Sequence, residues 1–101
     1  MKFQSGISLP TRTVSSGTSD TIRAIDYTIY YTASMSSGVV LPSAASNPGR
    51  VFNIKNGHAT LGFNITSSSG TIDGSATFVM PANAQYQTLT VQSDGTNWMI
   101  I

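Results

Sequence analysis

Punctuation is what most limits how this chain can fold. Glycine, proline, Asn-Gly or Asp-Gly breaks the sequence so often that no window of ten residues keeps a helical apolar period. Between the breaks lie short runs rich in β-branched and aromatic residues: 21–32, 39–41, 50–56, 61–66, 76–80 and 86–101. Such runs, spaced about 8–12 residues apart, describe an all-β chain of seven or eight strands. A sandwich, jelly roll or small barrel satisfies this rhythm, and the expected fold is an antiparallel sandwich or jelly-roll-like domain.

Alternation within the runs assigns the faces. Ile25, Tyr27, Ile29 and Tyr31 share one side of a strand expected over 21–32 and form its core candidate. Phe52 and Ile54 point inward from the next long run, and Leu61, Phe63 and Ile65 share a face of the one after it. Asn56-Gly57, Asp73-Gly74 and Asp94-Gly95 are expected hairpin turns, because these pairs tolerate positive φ. Pro48-Gly49 suits a type II turn. The stretch 86–101 reads as a closing hairpin whose apolar end, Trp98-Met99-Ile100-Ile101, is expected to be buried.

Charge is scarce: 9% of 101 residues, with no glutamate, against about 25% in typical domains. Ser, Thr, Asn and Gln must supply solubility, and low charge suits close-packed protein contacts. The five basic residues are scattered and form no phosphate-tracking patch, so no nucleic-acid partner is expected. No cysteine is present, which removes disulfides and Cys-based zinc sites. A domain of this size buries roughly 65% of its unfolded surface, so self-association is the expected source of added stability. Residues 1–6 lack the apolar stretch of a secretory signal, and no segment has the length of apolar sequence that a membrane helix needs, so no membrane insertion is expected.

Catalytic parts are missing from the sequence, and the chain is expected not to be an enzyme. Paired-carboxylate chemistry has only Asp20, Asp26, Asp73 and Asp94 to draw on, and the last two precede glycine and are read as turn residues. His58 is the sole histidine, with no companion ligands and no serine elbow to serve; it reads as a surface side chain. No catalytic, cofactor-binding or metal-ligating residue is assigned, and no cofactor is expected. Trp98 could stack against a sugar, but a large aromatic in a closing strand more often supplies buried area. Among Tyr27, Tyr30 and Tyr31, at least one phenol must point away from the core, towards a subunit or a ligand. Asn64-Ile65-Thr66 matches the short glycosylation pattern, which matters only in a eukaryotic secretory setting.

A family likeness then emerges from the order of motifs. Val-Leu-Pro-Ser-Ala-Ala at 40–45, Asn47-Pro48-Gly49-Arg50-Val51-Phe52-Asn53-Ile54-Lys55-Asn56, Thr71-Ile72-Asp73-Gly74 and Ser93-Asp94-Gly95-Thr96-Asn97-Trp98-Met99-Ile100-Ile101 together resemble the carboxy-terminal segments of bacteriophage and related viral fibre or tail proteins. The likeness spans 39–101; before it, Asp26-Tyr27-Thr28-Ile29 resembles the strand that opens such segments. The resemblance implies a homotrimeric, noncatalytic fibre head on a virion, acting outside the cell in attachment to a host-surface glycan or protein. The Ser-, Thr- and Gly-rich start of the chain reads as a lead-in or shaft-linking segment over 1–20, with one β-sandwich head over 21–101. The resemblance carries no defined receptor-binding residues; loops 43–49, 56–60 and 67–70 are the expected contact regions. A purely architectural trimerisation or capping domain and a carbohydrate-binding module are the alternatives.

Overall fold

The computed structural model describes residues 7–101. The expectations placed on 1–6 lie outside the described residues. Nine strands and no helix are present among the described residues. They are β1 (Thr11–Val14), β2 (Ser19–Thr21), β3 (Thr28–Tyr31), β4 (Gly38–Leu41), β5 (Val51–Asn56), β6 (Phe63–Ser67), β7 (Thr77–Met80), β8 (Thr88–Ser93) and β9 (Trp98–Ile100).

Two sheets pack face to face, in the orders β1-β3-β5-β8-β9 and β2-β4-β6-β7. The all-β, two-layer expectation holds, but the antiparallel one does not. The first six strands alternate between the sheets, so β1, β3 and β5 pair in parallel, as do β2, β4 and β6. The chain thus winds as a short two-sheet coil of three turns. A parallel pair needs a long crossover, and here each crossover is itself a strand of the opposite sheet. After β6 the direction reverses: β7 returns against β6, β8 against β5 and β9 against β8, all antiparallel.

Several local expectations are corrected for the same reason. Asn56-Gly57 is not a hairpin turn, because β5 and β6 belong to different sheets and Gly57 keeps a negative φ. The chain turns a corner there. The run 21–32 is not one strand but the end of β2, a connecting bend and β3. Its alternation therefore breaks: Ile29 and Tyr31 are buried, while Ile25 on the bend is 72% exposed. Leu61 precedes β6 and is also exposed, whereas Phe63 and Ile65 are buried as expected. Part of the stretch read as a lead-in, Thr11–Val14, is β1, paired with β3 in this same chain.

The other turns form as read. Asp73 and Gly74 both have positive φ, 47° and 82°, in a two-residue turn closed by hydrogen bonds between Ile72 and Ser75. The Arg50 amide donates to the Asn47 carbonyl across Pro48-Gly49, with Gly49 at φ 77°. Asp94 opens the loop between β8 and β9, accepting at Oδ1 from the Thr96 and Asn97 amides.

The core lies between the sheets, where Ile29, Tyr31, Phe52, Ile54, Leu89, Val91 and Trp98 of one meet Val39, Leu41, Phe63, Ile65 and Met80 of the other. Phe52 and Trp98 rings lie 5.5 Å apart, and Tyr31 meets Phe63 edge-on at 5.4 Å. Gly62 allows the strand ends to approach: a Cβ there would fall 1.9 Å from the Met80 carbonyl oxygen. Of the closing apolar run only Trp98 is buried; Met99 and Ile100 are each 37% exposed and Ile101 63%. The expected burial of that end fails because β9 is the last strand of its sheet, with no neighbour beyond it among the described residues except the short Thr71–Asp73 segment.

Candidate functional site

Four of the nine charged residues gather at the open end of the coil, on the first turn. Arg12 of β1 and Asp20 of β2 occupy inward-facing positions, where later turns carry apolar residues. The Arg12 guanidinium donates from Nη1 and Nη2 to Asp20 at 3.0 and 2.8 Å, and from Nε and Nη2 to Asp26 at 3.1 and 2.9 Å. The Tyr31 hydroxyl donates to Asp20 at 2.7 Å, and the Arg23 backbone amide to Asp26 at 2.9 Å. Burial works to raise the Asp26 pKa, but the Arg12 hydrogen bonds and the Arg23 amide outweigh it, leaving the carboxyl below its ordinary value. Hydrogen bonds from Arg12 to Asp20 and then Asp26 hold the guanidinium above its ordinary value. Burial, then the bond to Asp20, pushes the Tyr31 phenol up. Asp26 is thus held in its charged form, which suits a structural plug better than proton transfer at neutral pH.

The other carboxylates sit apart from this pair. Asp73 Oδ1 accepts from the Ile100 amide, covering part of the β9 edge. Asp94 is a loop cap; the Asn97 and then Thr96 amides lower its pKa. His58 accepts at Nδ1 from the Thr60 and Leu61 amides, ordering the corner after β5. Trp98 is fully buried, with Nε1 donating to the Pro42 carbonyl at 3.2 Å and Ser67 Oγ at 3.1 Å. Its indole face is not available to a sugar.

Of the expected contact loops, 43–49 and 67–70 meet through Ser43 and Ser69, whose hydroxyls lie 2.6 Å apart, and Gly70 lies against Thr96 and Asn97. Loop 56–60 instead adjoins 84–87: Tyr86 donates its amide to the Asn56 carbonyl at 2.6 Å, and Gln85 Nε2 donates to the Gly57 carbonyl at 3.1 Å. Asn64 is exposed on β6.

The three adjacent tyrosines divide. Tyr31 is buried, Tyr27 lines an open groove of about 510 Å³ with Leu9, Ile25 and Arg50, and Tyr30 faces outward on β3. Tyr30 stands opposite Lys55 of β5, and Lys55 opposite Thr88 of β8. Lys55 Nζ lies 5.8 Å from the centre of the Tyr86 ring, within cation–π range. Tyr86 is 59% exposed and holds φ at 73°, a conformation rare for a bulky side chain. Tyr86 carries no motif in the sequence because its neighbours on β5, Lys55 and Asn56, are remote from it in the chain; its sole signal was an aromatic in a polar loop. No family model, curated protein or solved structure matches the chain.

Proposed function

We propose that this chain is a noncatalytic, self-associating domain at the head of a viral fibre, and that it acts in attachment to a host surface. The carrying observation is the exposed apolar end Met99-Ile100-Ile101, at and just after the edge strand β9, in a domain with only 9% charged residues. An apolar end of that kind is what a second copy covers most cheaply, because Asp73 is the one charged side chain bonded against it among the described residues. The fibre resemblance supplies the number three and the virion setting. Its motifs fall on the turn before β5, the Asp73-Gly74 turn and the β8–β9 hairpin, which together close the fold. Three copies would let weak surface contacts act together.

Sedimentation at micromolar concentration tests the assembly. A trimer is expected, and Ile101→Asp with Met99→Asp should convert it to a folded monomer. A wild-type protein that sediments as a stable monomer would sink the proposal. The carbohydrate-module alternative loses Trp98 as its platform and retains the exposed Tyr86.

A further inference from the structure

We infer that Tyr86, Lys55 and Tyr30 form a contact site for an acidic saccharide of the uronic- or sialic-acid class; the inference deepens the attachment reading and rests on it for the source of the sugar. Two adjacent outward rows of the five-stranded sheet are polar or phenolic: Thr11, Thr28, Asn53 and Thr90 stand in one, Thr13, Tyr30, Lys55 and Thr88 in the next. Lys55 is the only charged side chain in these rows, and it forms no ion pair with any carboxylate among the described residues. The surface thus carries a single uncompensated positive charge, placed beside an exposed ring.

Both rings are held in position. Tyr30 lies over Gly57, where a Cβ would come within 2.5 Å of its ring, so only glycine leaves room for it. Tyr86 is fixed by its amide bond to Asn56 and by the anchoring of Gln85 to Gly57, despite the strained backbone. Strain retained at an exposed aromatic is an observation from which function can be argued. Neither phenol, nor Lys55 Nζ, hydrogen-bonds to another side chain or the backbone among the described residues. A pyranose ring presents C–H groups that pack on an aromatic face and hydroxyls that match Thr, Gln and phenol partners, and its carboxylate would complement Lys55.

The test is calorimetric titration of the intact wild-type assembly with three probes: oligogalacturonate, oligosialic acid and a neutral dextran oligomer. At least one acidic probe should bind, and the neutral one more weakly. Tyr86→Asn keeps a residue that tolerates positive φ, so it should melt as wild type does while losing affinity by about tenfold or more. Lys55→Met keeps the stem but removes the charge, and should abolish the preference for acidic over neutral probes. Failure of both acidic probes to bind, or undiminished binding by a folded Tyr86→Asn protein, would overturn the site. Cell adhesion that depends on Tyr86 without any saccharide binding would point to a protein receptor and also overturn it. The attachment reading fails separately: a wild-type protein that binds the acidic probe but adheres to none of a panel of intact bacteria would defeat it and leave the site standing.

Discussion

The two ends of the coil solve one problem in opposite ways. Any two-sheet coil exposes its core and its strand edges where it stops. At the first turn, β1 and β2 are the edge strands among the described residues, and the space between them holds Arg12, Asp20 and Asp26 beside the apolar Val14 and Ile22. Inward charge on an edge strand discourages pairing with another chain. At the far end the chain reverses through β7, β8 and β9, Trp98 fills the core, and Met99, Ile100 and Ile101 remain exposed. One end is filled by a neutral ion set, with Leu9 and Ile25 exposed beside it; the other is closed by packing and leaves Met99, Ile100 and Ile101 as its apolar margin. A chain this poor in charge places four of its nine charged side chains at the first turn and only Asp73 against the β9 edge.

The largest expected effect is at the packed end. Trp98→Ala removes the indole between the sheets and leaves the Pro42 carbonyl with only the longer bond from the Ser67 hydroxyl, at a cost of about 3–5 kcal/mol. Urea unfolding followed by circular dichroism should show loss of cooperative folding or assembly. A variant that stayed folded and assembled while losing only ligand binding would reverse the structural role given to Trp98.

Next comes the charged end. Arg12→Met strips two mostly buried carboxylates of their main partner and should cost about 2–4 kcal/mol in the same measurement. A loss below about 0.5 kcal/mol, the range of ordinary surface changes, would mean that the ion set is decoration and the two ends are not alternatives.

Acid should separate the ends without mutation. Asp26 has a folded pKa below its unfolded value, so its contribution is fully present above the unfolded value of about 4 and is lost as pH falls through the lower folded value. Hydrogen exchange of the Thr11–Val14 amides should therefore accelerate at pH 3 relative to pH 6, after correction for intrinsic rates, more than exchange in β8. Equal acceleration at both ends would remove the distinction. The smallest effect is expected from Asp94→Ala, which frees the Thr96 and Asn97 amides of an exposed loop. Exchange should rise at those two amides while the melting temperature barely moves.

Strand identity was legible where burial and turn chemistry are local. Phe52 and Ile54 alternate inward, Asp73-Gly74 turns, and 88–100 forms a hairpin as read. Partners were not legible. Asn56-Gly57 has the composition of a hairpin turn, yet Asn56 is buried at the end of β5, bonding through Nδ2 to the Leu61 carbonyl and accepting at Oδ1 from the His58 amide. Its side chain serves a corner instead. Likewise, Arg12, Asp20 and Asp26 carry no motif, because their meeting depends on two strands from different sheets and a bend.

The sequence alone determined that this chain makes short strands, carries little charge, and holds Trp98 as a core anchor. Those properties follow from alternation, backbone preference and composition, each a property of neighbouring residues. Only the tertiary structure decided that the first six strands coil in parallel, that one end is sealed by ions, and that Tyr30, Lys55 and Tyr86 share a face. Each of these depends on where a corner sends the chain, and a corner's direction is set by packing between segments far apart in sequence.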